Sequence, residues 1–87
     1  MNYLFHKNFL KQLNKLPPSL REKFYSRLRL LLKNPLHPHL HNHVLHGIHR
    51  GAFSIDVNGD VRAIYVVVEK DVIQFTHIGT HHQLYGT

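Results

Sequence analysis

Two amphipathic helices are predicted in the first third of the chain. Apolar residues recur at helical spacing over residues 7–16, where a Pro-Pro dipeptide ends the run. Ser19 and Glu22 then form an S-x-x-E capping box, which predicts a second helix over 19–33. A short aromatic stretch at residues 2–5 is compatible with an edge strand. The apolar stripes of the two helices need a surface to cover.

The second half of the chain changes to the period of two that is typical of strands. Alternating, β-branched runs at 52–57 and 61–68 flank Asn58-Gly59, a strong hairpin signal, and a third run covers 72–78. A loop at 35–50 that contains six histidines precedes them. The pattern predicts an α+β fold in which two N-terminal helices pack on one face of a small antiparallel sheet, a three-stranded meander.

The register of the hairpin decides which side chains face the helices. A two-residue loop would place Arg62 on the apolar face, where an unpaired charge is costly. We therefore predict a three-residue loop with Gly59 in the left-handed conformation, which pairs Asp56 with Asp60 and Ser54 with Arg62. These four polar side chains would then share the sheet face that lies away from the helices.

Length and composition exclude several classes of protein. With 87 residues, of which 43% are hydrophobic, the chain is expected to form one globular domain, residues 1–87. It has no cysteine, which excludes disulfide scaffolds, thiolate zinc sites and cysteine nucleophiles. No apolar run approaches the roughly 18 residues of a membrane span, and the N-terminus has no signal-peptide pattern, so no membrane partner and a cytoplasmic location are expected.

The positive charge is concentrated in the first half of the chain. Residues 1–50 hold nine Lys and Arg against one acidic residue, whereas residues 51–87 hold two basic and four acidic residues. A basic surface attracts a polyanion, so nucleic acid is the first partner to consider. Lysines on the solvated faces of helices explain the same charge without any ligand.

The predicted open face of the sheet could catalyse proton transfer at a phosphodiester. It carries Asp56, Asp60 and Arg62, and the third strand runs through Gly79 to His81, whose imidazole could swing over this face on a flexible backbone. RNA supplies its own nucleophile, the 2′-hydroxyl, so cleavage needs a base, a cation and an acid but no metal ion. Alternatively, the two aspartates only favour the turn and the arginine forms a surface ion pair; spacing alone favours this second interpretation.

Three motifs resemble the RelE/ParE toxin superfamily. They are Leu45-x-Gly47, the segment 60–65 (D-V-R-A-I-Y) and the ending 78–86 (I-G-T-H-x-x-L-Y-G), and the ending is most similar to YafQ-type messenger-RNA interferases. The resemblance implies a RelE-like, microbial-ribonuclease-like fold. It also implies a bacterial type II toxin that cleaves messenger RNA in the ribosomal A site, without metal or cofactor. A cognate antitoxin would hold the toxin inactive and mediate any contact with operator DNA.

The resemblance also implies the roles of individual residues. His81 would be the general acid, Asp60 or His43 the base, Arg62 the group that holds the scissile phosphate, and Tyr85 the ring that stacks on a base of the codon.

Other candidate residues have less defined roles. Asp56 stands where YafQ-type toxins have a histidine and RelE-type toxins a lysine, so its part in catalysis is open. Arg50 and Ser54 complete the predicted RNA-binding set. Two alternatives stay open. One is a ParE-like poison of DNA gyrase, a class that lacks catalytic side chains, so His81 and Tyr85 argue against it. The other is an inactive basic module that acts with an antitoxin as a repressor, which the departure at Asp56 keeps open.

The histidine-rich loop has a separate interpretation. His37, His39, His41 and His43 alternate, so an extended backbone would present all four rings on one side, as a metal site could use. Nothing in the sequence orients the rings, so we predict a polar loop with His43 near the active site and no bound metal.

Overall fold

The computed structural model describes residues 1–86. The helices and strands are β1 (Asn2–Phe5), α1 (Lys7–Asn14), α2 (Pro18–Lys33), β2 (His43–Val44), β3 (Phe53–Asp56), β4 (Val61–Glu69), β5 (Val72–Thr80) and α3 (His81–Tyr85). The described residues form one five-stranded sheet in the order β1-β5-β4-β3-β2. The predicted α+β class is therefore confirmed.

The sheet is larger than the predicted meander, and it is mixed. β3, β4 and β5 pair antiparallel, as expected, but β1 adds to β5 in parallel and β2 adds to β3 from within the histidine-rich loop. Helices α1 and α2 carry the chain to the opposite edge of the sheet, where β2 lies, and strands β3, β4 and β5 then bring it back beside β1. Within residues 1–86, no helix has the length and apolar character needed to cross a bilayer.

The main core lies between this face of the sheet and helices α1 and α2. Phe9 from α1, Phe24 from α2 and Phe75 from β5 are fully buried, and their ring centroids lie 5.1–5.4 Å apart. Edge-on and tilted aromatic pairs of this kind contribute about 0.5–1.5 kcal/mol each beyond their burial. The predicted apolar stripes therefore cover the sheet.

The ends of the first two helices differ from the predictions. α1 stops at Asn14, and its start is capped by the ring Nδ1 of His6, which accepts a hydrogen bond from the amide of Asn8 at 3.1 Å. α2 begins at Pro18 with Pro17 as its N-cap, so the predicted capping box is wrong. Since proline at the first helical position has a preset helical φ, it starts the helix one residue early and places Ser19 inside the first turn.

The hairpin register was also predicted wrongly, although the faces were predicted correctly. Asp56 pairs with Arg62 rather than with Asp60, and Ser54 pairs with Ile64 rather than with Arg62. The loop is formed by residues 58–60, because the side chain Oδ1 of Asn58 accepts from the amides of Asp60 (2.9 Å) and Val61 (2.7 Å).

This loop has two consequences for the predicted site. Gly59 keeps a φ outside the left-handed region, so the predicted glycine bulge is wrong. Asp60 lies in the loop instead of on the sheet. A shift of the pairing by two positions leaves the alternation of side chains unchanged, so Ser54, Asp56 and Arg62 still share the face away from α1 and α2.

A second apolar cluster covers part of that face. Leu84 of α3 packs with Leu45, Ala52 and Ile64. Helix α3 was not predicted, since five residues are too few to show a period. It brings the end of the described chain onto the sheet.

Candidate active site

A cavity of about 250 Å³ opens on the face of the sheet away from α1 and α2. Its lining residues are His43, Leu45, Ser54, Arg62, His81 and Tyr85. Five of these six are residues that the sequence predicts for catalysis or RNA binding. They come from β2, β3, β4 and α3, which shows that the cavity is formed by tertiary packing rather than by one segment.

Strand pairing explains how the first members converge. His43 lies opposite Ser54 in the β2–β3 pair, so both side chains point to the same face of the sheet. Ser54 is fully buried, and its hydroxyl has no hydrogen-bond partner among residues 1–86. A buried hydroxyl without a partner is costly, and it is free to donate to a group that enters the cavity.

A hydrogen bond of His43 determines which of its ring nitrogens carries the proton. Its Nδ1 lies 2.7 Å from the carbonyl oxygen of His41, and because a carbonyl only accepts, Nδ1 carries the hydrogen. In the neutral ring, Nε2 then has the free lone pair. His43 is therefore in the tautomer that a general base needs.

The G-T-H segment, residues 79–81, forms the start of helix α3. Thr80 is the N-cap of α3: its hydroxyl accepts from the amide of Gln83 at 3.1 Å, and the Gln83 side chain accepts from the amide of Thr80 at 2.8 Å. A Cβ at position 79 would lie 2.7 Å from Oε1 of Gln83, so this reciprocal cap requires Gly79. The predicted freely swinging segment is wrong, because His81 is the first residue of a capped helix.

Helix α3 presents His81 and Tyr85 together. They are four residues apart and therefore share one side of the helix, with ring centroids 4.5 Å from each other. Tyr85 is half-buried against the second apolar cluster, whereas His81 is exposed. An exposed imidazole can exchange protons with solvent or substrate, as a general acid must.

Arg62 is held at the rim of the cavity by carbonyl oxygens of the hairpin loop and by Asp56. Its guanidinium donates to the carbonyl oxygens of Asn58 (2.8 Å) and Gly59 (3.3 Å). Its Nε lies 2.9 Å from Oδ1 of Asp56, an ion-pair contact without the alignment of a hydrogen bond, and the two side chains are 21% and 27% exposed. The guanidinium is thus oriented while part of it remains open to an anion.

Three predicted residues lie outside the cavity lining. Asp56 contacts Arg62 and lies 3.8 Å from Nδ1 of His41, so its carboxylate faces one cation and one protonatable ring. Asp60 is exposed in the hairpin loop, where its carbonyl oxygen accepts from the amide of His81 at 3.3 Å. Arg50 is exposed after the 3₁₀ turn Gly47–His49.

The histidines of the loop pair with one another instead of aligning on one side. His37 and His39 have ring centroids 4.7 Å apart, and those of His41 and His43 are 4.8 Å apart. The 3₁₀ turn Pro38–Leu40 and the left-handed backbone of His41 (φ 47°) interrupt the extended run. In residues 1–86, no group of three or more His, Asp or Glu side chains is placed to hold a metal ion.

Two further histidines near α3 were not predicted. The Nε2 of His49 donates to the carbonyl oxygen of Leu84 at 3.0 Å, and its ring lies 5.0 Å from that of His77. Burial, with smaller contributions from His49 and His6, lowers the pKa of His77 below its ordinary value. The sequence offered no signal beyond the abundance of histidine, because these contacts join residues about 30 positions apart.

Solved structures show which proteins share this fold. YafQ from Escherichia coli strain BL21(DE3) superposes with a TM-score of 0.82 at 22% identity, over 98% of both chains. The toxin chain of the E. coli DinJ–YafQ toxin–antitoxin complex gives 0.79 at 22% identity, over 98% of this chain and 97% of that one. The archaeal RelE–RelB complex from Pyrococcus horikoshii gives 0.71 at 26% identity, over 91% and 92%. The fold is therefore that of the RelE-like toxins.

The sequence places the chain in one branch of this class. Residues 1–86 match the family described as "Bacterial toxin of type II toxin-antitoxin system, YafQ", and the chain belongs to that family. No curated protein matches the sequence significantly. The resemblance to YafQ-type toxins is confirmed: the chain is a toxin of a type II toxin–antitoxin system, a class with a cognate antitoxin, and messenger-RNA cleavage is the known activity of YafQ.

Proposed function

We propose that this toxin is a metal-independent endoribonuclease that cuts messenger RNA on the ribosome and thereby inhibits translation. The observation that supports the proposal is the convergence of a base-competent histidine, a second histidine and an oriented arginine around one cavity. Such a set supplies the base, acid and cation that attack by the 2′-hydroxyl requires.

The cleavage step assigns one role to each catalytic side chain. Nε2 of His43 takes the proton of the 2′-hydroxyl as its oxygen bonds to phosphorus. The bond from phosphorus to the 5′-oxygen breaks, and His81 gives that oxygen a proton. Arg62 stabilises the negative charge on the phosphorane. The products are a 2′,3′-cyclic phosphate and a free 5′-hydroxyl, so neither an oxidant nor a metal-bound water is needed.

Binding roles fall to the remaining residues. The unpartnered hydroxyl of Ser54 donates to a phosphate oxygen in the cavity, and Tyr85 stacks on a base next to the scissile bond. Arg50 adds positive charge to the path of the RNA. We assign Asp56 to the orientation of Arg62, and we favour His43 over Asp60 as the base because Asp60 lies outside the cavity lining.

The partners follow from charge and substrate. Residues 1–87 act as one domain, and the strongly basic first half suits both ribosomal RNA and an acidic antitoxin segment that folds upon the toxin. Because the substrate is on the ribosome, the site of action is the cytoplasm. Contact with operator DNA occurs only through the antitoxin.

His81→Gln tests the proposal directly. The substitution keeps a hydrogen-bonding side chain but removes the transferable proton, so single-turnover cleavage on translating ribosomes should slow by about 10²–10⁴-fold. His82→Gln, an exposed neighbour outside the cavity, should cut at the wild-type rate. Chelation with EDTA should leave cleavage unchanged.

Other outcomes would decide against the proposal. A wild-type rate of cleavage in His81→Gln would show that His81 is not the general acid. Loss of cleavage in EDTA that zinc restores would overturn the metal-independent mechanism. If wild-type protein leaves ribosomal messenger RNA intact, inhibition of purified DNA gyrase would indicate the ParE-like alternative, and inactivity in both assays would indicate a binding module.

A further inference from the structure

The short helix that carries His81 and Tyr85 depends on contacts with other elements. α3 spans five residues, which is too few for a helix to be stable by its own hydrogen bonds. Its N-terminal end is fixed by the Thr80 cap and by the hydrogen bond from the amide of His81 to the carbonyl oxygen of Asp60. Its C-terminal end has carbonyl oxygens that need donors from elsewhere.

His49, at the end of the 3₁₀ turn Gly47–His49, supplies such a donor. Its Nε2 lies 3.0 Å from the carbonyl oxygen of Leu84, 35 residues later in the chain. Because a carbonyl oxygen only accepts, Nε2 carries the hydrogen in this contact. The ring also meets the edge of Tyr85, with centroids 5.8 Å apart at 77°. One side chain therefore contacts both the backbone of α3 and one of its cavity-lining rings.

The loop around His49 is built to hold this ring in place. The amide of Leu45 donates to the carbonyl oxygen of Ala52 at 2.7 Å, and the amide of Gly51 donates back to Leu45 at 3.2 Å, which closes the loop. Gly47 and Gly51 have φ of 75° and 87°, a left-handed backbone that favours glycine. The glycine of the Leu45-x-Gly47 motif thus has a structural reason: it turns the chain so that His49 faces α3.

We propose that His49 is a positioning residue of the active site, which fixes the C-terminal end of α3 and with it Tyr85, whose ring centroid lies 4.5 Å from that of His81. His49 lies outside the cavity lining, so it acts through α3 rather than on the RNA. The effect on cleavage rests on the proposed function. Loss of the hydrogen bond would leave α3 anchored by Leu84 but free to shift its exposed end, and a misplacement of about 1 Å can slow catalysis by about 10²-fold.

Three variants separate the hydrogen bond from the ring. His49→Phe keeps an aromatic ring but removes the donor, so single-turnover cleavage should slow by about 10- to 100-fold. His49→Gln has an amide N–H at a reach similar to Nε2 and should restore cleavage to within about threefold of wild type. His46→Phe is the matched control, because His46 is exposed in the same loop, and it should cut like wild type.

A second measurement does not depend on RNA. The amide of Gly86 donates to the carbonyl oxygen of His82 at 2.8 Å and reports the end of α3. Its hydrogen exchange should be faster in His49→Phe than in wild type, His49→Gln and His46→Phe. The contact between the His81 and Tyr85 rings should weaken in NMR spectra of the same variant.

The two measurements distinguish the possible failures. Wild-type cleavage by His49→Phe, or equal slowing in His49→Phe and His49→Gln, would overturn the positioning role. If the wild-type toxin cuts no messenger RNA, the proposed function fails while the exchange of Gly86 still decides whether His49 holds α3. Unchanged exchange in His49→Phe would refute that contact whatever the activity.

Discussion

At the scale of single residues, Asp56 shows how environment determines a role. A carboxylate next to a phosphate site repels the substrate unless its charge is used elsewhere. Asp56 lies 2.9 Å from Nε of Arg62 and 3.8 Å from Nδ1 of His41, so its charge is shared between two cationic or protonatable groups. The carboxylate that was predicted to pair with Asp60 is instead the partner of Arg62, the residue that we propose holds the phosphate.

Asp56→Asn should therefore slow cleavage far less than His43→Gln. Arg62 keeps its carbonyl partners in the hairpin loop when the Asp56 charge is removed, so we expect less than about a tenfold loss, whereas loss of a general base costs about 10²–10⁴-fold. Single-turnover cleavage on ribosomes measures both variants. His39→Gln, an exposed histidine of the same loop, serves as the control. Equal losses of cleavage in the two variants would make Asp56 a candidate for the general base again.

At the scale of elements, features that depend on neighbouring residues were predicted well. Turns and helix ends that depend on side-chain hydrogen bonds were not. The alternation in β3 and β4 identified which side chains face the cavity, because period two depends only on neighbouring residues. The pairing itself was wrong by two positions, because it depends on the Asn58 side chain bonding two amides of the loop. The same kind of contact, between Gln83 and Thr80, creates α3 and orients His81.

Gly79→Ala should disturb α3 while leaving the rest of the fold intact. The added methyl would meet Oε1 of Gln83 at 2.7 Å and push this side chain out of the cap. The Thr80 hydroxyl still accepts from the amide of Gln83, so one hydrogen bond of the cap is lost. A hydrogen bond contributes about 0.5–1.5 kcal/mol, so denaturant unfolding should show a loss of up to that size and cleavage should fall.

Gly59→Ala is the matched control for this substitution. Its Cβ would meet open space and its φ lies outside the left-handed region, so the variant should be as stable as wild type or more stable by less than about 1 kcal/mol. Equal stability of the Gly79 and Gly59 variants would show that the reciprocal cap does not hold α3.

At the scale of the whole molecule, the two faces of the sheet have separate tasks. α1 and α2 fill one face with aromatic side chains, and the other face carries the cavity beneath α3 and the Leu45–Ala52 loop. The first arrangement was predictable from the helical stripes. The second was not, because the His49–Leu84 hydrogen bond and the packing of Leu84 in the second apolar cluster join distant segments and leave no local pattern in the sequence. The short motifs that resemble YafQ-type toxins identified cavity residues that the periodicity of the sequence could not identify.

The stability of the whole fold should depend on His77 in mildly acid solution. Burial, with His49 and His6 as further causes, holds the pKa of His77 below the ordinary value of 6.5. As the pH falls below about 6.5, the unfolded chain takes up a proton at His77 before the native chain does, so stability is present above this pH and is lost as the pH falls through the native pKa. Urea unfolding of wild-type protein should show this loss. His77→Gln removes the titrating ring and should lose less stability over the same range, whereas His82→Gln should follow wild type. Superposable pH profiles for His77→Gln and wild type would mean that His77 is protonated equally well in the native and unfolded chains.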